Sequence, residues 1–139
     1  MPMSDYLESI LLNQVLNGAA YSQPSTVYVA LYTVAPTDAG GGTEVSQGSG
    51  GLNYVRQSMT GGSAWTVTGT ATRANNTAAI TFPVAGDTWG TVVAVGIFDS
   101  ATIGAGNLLF WGTLTSPRGP IQLNDQVSFP IDTLAVTLT

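Results

Sequence analysis

Two stretches decide the fold: residues 89–98, WGTVVAVGIF, and residues 108–115, LLFWGTLT. Both are dense in β-branched and aromatic residues, neither carries a charge, and a glycine-rich turn at Gly104-Ala105-Gly106-Asn107 separates them. Runs of this kind read as central β-strands. Residues 26–34, TVYVALYTV, give a third strand of the same character. Further out, strands are predicted over 52–60, over 64–71 (AWTVTGTA) and over 77–82 (TAAITF, closed by Pro83), with turns at Gly61-Gly62, Asn75-Asn76 and Gly86-Asp87. Gly119-Pro120, Asn124-Asp125 and Pro130 punctuate the last part, leaving short apolar runs at 121–123, 126–129 and 134–138. About eight short strands with turn signals roughly every 8–12 residues predict a sandwich, a jelly roll or a small barrel. The expectation is an all-β fold: an antiparallel β-sandwich, jelly-roll-like, with one N-terminal α-helix.

The helix is written in residues 5–17. Ser4 suits the N-cap, Asp5 and Glu8 put negative charge at the positive end of the helix dipole, and Gly18 suits the position just past the C-terminus. Ser9, Asn13 and Asn17 form a narrow polar stripe, and Tyr6, Leu7, Ile10, Leu11, Leu12, Val15 and Leu16 occupy most of the remaining circumference. A helix lying on one sheet needs an apolar face only about 100° wide. This one is either tucked under a loop or the end of the sandwich, or it contacts a second subunit. The 139 residues make one domain: a helix and arm over 1–20, then a β-sandwich over 21–139 interrupted by a long polar loop at 36–51. That loop holds Gly40-Gly41-Gly42, Asp38 and Glu44 and is longer than most connections in compact domains, which makes it a candidate contact arm.

Composition narrows the function. Only 8% of residues are charged, where an ordinary soluble protein has roughly 25%. The surface must therefore be neutral and rich in Thr, Ser, Asn, Gln and Gly, as in an extracellular or virion β-protein or a subunit covered by partners. The net charge is −5 with Arg56, Arg73 and Arg118 as the only basic residues, so no Lys/Arg cluster exists to bind nucleic acid. No apolar run approaches the roughly 20 residues of a membrane span, and the acidic N-terminal end does not resemble a signal peptide. The expected site of synthesis is the host cytoplasm, with no membrane as partner.

Chemistry is scarce. With no His and no Cys, the usual nucleophile–base pairs, disulfides and zinc ligand sets are missing. The eight acids sit mostly beside turn residues, where a carboxylate commonly bonds nearby backbone amides. Asp38 and Glu44 offer oxygen ligands, but without calcium-loop spacing. No cofactor, no metal and no enzymatic activity are expected. The strand aromatics read as core or sheet-face packing, and Arg56 is expected to pair with one of the acids, within the subunit or across an interface.

The segments YLESILLNQVLNGAAYSQP (6–24), VYVALYTVAPTDAGGGTEVS (27–46), YVRQ (54–57), ITFP (80–83), WGTVVAVGIFD (89–99) and GNLLFWGTLT (106–115) together resemble a group of small tailed-bacteriophage and prophage virion proteins. Such proteins are often labelled tail-fibre-like, and some similar ones are cement (decoration) subunits on phage heads. The resemblance runs over nearly the whole chain and carries no catalytic residues. It implies a structural virion role and homo-oligomerisation. The expected function is a trimeric capsid cement subunit bound to the major capsid protein; the alternative is a tail component, such as a fibre, knob or baseplate-associated domain, bound to other tail proteins or the host. Candidate interface residues are Tyr6, Leu7, Ile10 and Leu11 on the helix and Asp38 and Glu44 in the loop.

Overall fold

The computed structural model describes residues 1–46, 51–60, 64–68 and 72–138. Among the described residues, helix α1 spans Asp5–Asn17 and is followed by ten strands: β1 (Thr26–Val34), β2 (Thr43–Glu44), β3 (Gln57–Thr60), β4 (Trp65–Val67), β5 (Arg73–Asn76), β6 (Ile80–Thr81), β7 (Gly90–Phe98), β8 (Leu108–Ile121), β9 (Ser128–Phe129) and β10 (Ala135–Thr137). All strand pairs are antiparallel. A five-stranded sheet runs β2-β1-β7-β8, with β3 also paired to β1; smaller sheets are β10-β5-β4 and β6-β9. The fold is the all-β sandwich with one N-terminal helix that the sequence predicts.

The two-residue period of β1 and β7 builds the layers. Val29 and Leu31 pair with Ile97 and Val95 and face the smaller sheets, where they join Tyr54, Phe82, Trp89 and Phe129 in the main core. Tyr54 stacks on Phe82 at 6.1 Å and meets Trp89 edge-on at 5.5 Å, and Phe82 meets Phe129 edge-on. On the other face Ala30, Tyr32, Ala94, Phe98 and Leu108 form a second cluster. Tyr32 and Phe98 stack there, at 6.5 Å, over Gly96, where a Cβ would come within 3.0 Å of the Tyr32 ring and of Leu108. Both faces of β7 are therefore covered over residues 94–98, which is why those five positions carry no polar side chain.

Several sequence expectations need correcting. The polar loop at 36–51 is partly sheet: Glu44 pairs with Tyr32 and Thr43 with Val34, and residues 47–50 lie outside the described residues. The strand expected over 52–60 is confined to Gln57–Thr60, because Leu52–Asn53 form a turn bound to the 85–89 turn. Leu52 N–H donates to Asp87 Oδ1, its carbonyl accepts from Trp89 Nε1 and from Gly86 N–H, and Asn53 sits at φ 70°. Of the strand expected over 64–71 the described residues hold β4, while residues 69–71 and the Gly61-Gly62 turn lie outside the described residues. Asn75-Asn76 is strand, not turn, and the strand expected over 77–82 reduces to β6. Gly119-Pro120 lies inside β8, whose far half is exposed and tolerates Pro117 and Pro120 as an edge strand can. So 108–115 is not central: β8 is the sheet's edge, capped by the N-terminal arm, with Met3 bridged to Phe110, Ser4 N–H bonded to Leu109 O and Trp111 N–H to Pro2 O.

Asn76 ties the smaller sheets together. It is fully buried, its Nδ2 donates to Ala78 O (2.8 Å) and Pro130 O (2.9 Å), and its Oδ1 accepts from Leu134 N–H (2.9 Å). Removing the amide leaves the buried Leu134 N–H without its acceptor, at about 1–3 kcal/mol, and takes a donor from each of the carbonyls of Ala78 and Pro130. Asn76→Ala is expected to lose about 2–4 kcal/mol in urea unfolding at unchanged m; a loss below about 1 kcal/mol would show that water takes the place of the amide.

Candidate interaction site

The start of α1 is anchored by backbone and cap chemistry. Ser4 is buried at the N-cap; its Oγ accepts from Leu7 N–H and donates to Leu108 O, and Asp5 N–H donates to Asp38 O (2.9 Å). Gly18 ends the helix in the left-handed region at φ 67°, with its N–H on Asn13 O. Between these caps only Leu7 is buried, Ile10 and Leu11 are half-buried, and Tyr6 is exposed. Leu12, Val15 and Leu16 are 60%, 78% and 73% exposed. The helix is thus held at its first turn against β8 and presents its second half to solvent.

Beside that first turn lies a cleft of about 620 Å³, walled by the start of α1, by residues 38–44 and by residues 103–108, with Tyr32, Arg56 and Phe98 also lining it. Its frame is a buried ion pair. Arg56 Nη2 and Nε donate to Glu44 Oε2 and Oε1 at 2.7 and 2.8 Å, and the two side chains are only 1% and 10% exposed. Nη1 donates to the carbonyls of Ser100 (2.8 Å) and Ala105 (3.0 Å), and the guanidinium lies 3.7 Å from the centre of the Phe98 ring. Leu31 N–H donates to the Tyr54 hydroxyl, which donates to Glu44 Oε1. The turn that supplies the carbonyls depends on Gly106 at φ 80°, where a Cβ would come 2.4 Å from Ser100 Cβ. Asp99 closes it by accepting from the Asn107 backbone and side-chain amides, both at 2.7 Å.

The structure brings Tyr6, Asp38 and Glu44 to this one cleft and distributes Leu7, Ile10 and Leu11 along the adjoining helix. Asp38 is exposed at the rim and accepts from Trp111 Nε1 (2.9 Å), whereas Glu44 points inward to Arg56. Arg56 does pair with an acid within the subunit. The parts that sequence reading missed are the two carbonyl acceptors and the Tyr54 bridge, since neither leaves a side-chain signal in the sequence. Among the described residues no group of three or more acidic side chains is placed to hold a metal.

At this site the polar side chains of Ser4, Glu44 and Arg56 are bonded inward, while Leu12, Val15 and Leu16 of the helix are turned to solvent. Residues 2–137 match the family described as podophage GP4 fiber I protein gp80, and the chain belongs to that family. It is a tailed-phage virion structural protein of the fibre-like kind. No curated protein matches the chain.

Two outcomes follow from the geometry. Glu44→Ala leaves the Arg56 charge buried without its partner and is expected to cost about 3–5 kcal/mol in denaturant unfolding, with much of the loss recovered in Glu44→Ala/Arg56→Leu. Burial, reinforced by the Glu44 charge, pushes Tyr32 up to about 12 and Tyr54 higher than its ordinary value. The folded chain then keeps protons that the unfolded chain releases from about pH 10 upward. Stability is full below about pH 10 and falls as pH rises through the folded values; Tyr32→Phe is expected to flatten the fall between about pH 10 and 12, read from urea midpoints.

Proposed function

We propose that the chain is a structural component of the phage tail, a fibre-associated or baseplate-associated module that assembles in the host cytoplasm and takes its place by protein–protein packing. The fibre family carries this reading, and it favours the tail over the capsid-cement role expected from the sequence. The composition agrees: three basic residues and a net charge of −5 leave little for electrostatic attachment, so adhesion falls to apolar contact and backbone hydrogen bonding. Tyr6 and the rim around Asp38, standing beside the solvent-facing half of α1, form the surface for neighbouring tail proteins, and copies of the chain pack with one another as a homo-oligomer. The Arg56–Glu44 frame sets the position of that rim from beneath.

The experiment is protein stoichiometry on purified particles separated into heads and tails. A small, fixed number of copies confined to the tail fraction is expected. A copy number in heads comparable to the major capsid protein would overturn the tail reading and restore the cement role.

A further inference from the structure

A second, almost wholly apolar cavity of about 340 Å³ opens where the two larger sheets of the sandwich part. Val27, Ile97 and Phe110 of the five-stranded sheet form one wall; Trp65, Val67 and Val136 of the β10-β5-β4 sheet form the other. Val67 is 69% exposed and Leu138, at the same mouth, 42%. An apolar slot open to water is unfavourable in proportion to the area it exposes, and so is the uncovered stripe on α1. Leu12, Val15 and Leu16 stand at i, i+3 and i+4, the spacing with which a helix enters an apolar groove.

Within one chain the two surfaces do not cover each other. The first turn of α1 is fixed to β8 and to Asp38, and both the stripe and the mouth of the slot remain exposed. Charge supplies the choice of occupant. Arg73 lies at the slot, exposed, with its Nε on the neighbouring Asn75 and no acidic partner among the described residues. Helix α1 has acids in its first turn and no basic residue in its last, so its C-terminal carbonyls face outward without a cation. An arginine at the slot is what the negative end of that helix lacks.

We propose that the Leu12–Val15–Leu16 stripe of one copy seats in the slot between the sheets of a second copy, with Arg73 of the receiving copy beside the C-terminal end of the helix. The contact is heterologous: each copy offers one helix and one slot, so copies close into a ring or extend as a filament. It stands whether the chain sits on heads or on tails.

The test uses the full chain and two substitutions at exposed positions, Leu16→Asp on the helix and Val67→Arg at the slot. In sedimentation velocity the unaltered chain is expected to associate with increasing concentration, and each variant alone to remain monomeric. Mixed, they are expected to form a 1:1 dimer and nothing larger, because the Val67→Arg chain keeps a usable helix and the Leu16→Asp chain a usable slot. Arg73→Gln is expected to weaken association by up to about fivefold. An unaltered chain that stays monomeric, variants that still associate, or a mixture that stays monomeric would each overturn the proposal. Capture of another purified tail protein by α1 of a monomeric chain would assign the stripe to that partner instead.

Discussion

The guanidinium of Arg56 is the point on which one whole face of the molecule rests. Taking a charge out of water costs several kcal/mol, and an arginine can be kept there only if its donors are met and a counter-charge is close. Here the carboxylate of Glu44 takes two donors, two turn carbonyls take another nitrogen, and the Phe98 ring receives the flat face. The partners come from β2, from the turn between β7 and β8, and from β7 itself. One side chain therefore sets the height of the 38–44 segment and of the 103–107 turn over the sheet, and with them the width of the cleft beside α1. Tyr54 extends the same network through the sheet to Leu31 and the main core. The geometry outside and the packing inside are one problem with one solution.

How much of this could be read from the sequence follows from where the information lies. Helix α1, β1 and β7 were legible because their signals are local: a serine cap and a glycine stop in one case, unbroken apolar runs in the others. β2 was not. Thr43–Glu44 is only two residues long and follows three glycines, too short to register as a strand run, and Arg56, twelve residues on, holds Glu44 in place beside β1. The same kind of distant partner made Asn75-Asn76 misleading: an asparagine pair reads as a turn, yet Asn76 serves as a buried source of hydrogen bonds to three backbone groups. Tyr54 looked like part of a strand and is instead an aromatic plug inserted by a turn. Among the site residues, Asp38 and Glu44 share one loop, but Tyr6 stands 32 residues before Asp38, so its convergence with them on a single cleft was beyond pattern reading.

The edge of the large sheet explains why the N-terminus matters to more than its own helix. β8 would offer unpaired backbone at Leu109–Trp111, a template for unwanted strand pairing. Residues 2–4 cover it by a short antiparallel bridge, and Ser4 then turns the chain directly into α1. The same few residues that protect the sheet thus aim the helix. A helix docked along its length would need a long amphipathic match to the sheet; one fixed by its first turn needs only a cap, a buried Leu7 and the Asp5–Asp38 backbone bond.

That economy bears on assembly. With 8% charged residues and one of three arginines committed to the interior, the chain has little means of steering partners or repelling copies of itself by charge. What it presents instead is shape: a helix held at one end, a cleft of fixed width, and an apolar slot where two sheets part. Rigid, preformed surfaces lose less conformational entropy when they are covered than flexible ones do, so modest apolar areas suffice to hold them. A module of this kind gains most from neighbours that are already aligned, as in a symmetric particle, where each contact made fixes the geometry of the next. Under the proposed tail role, the neutral surface, the anchored helix and the buried arginine together suit a unit held by packing in place of charge.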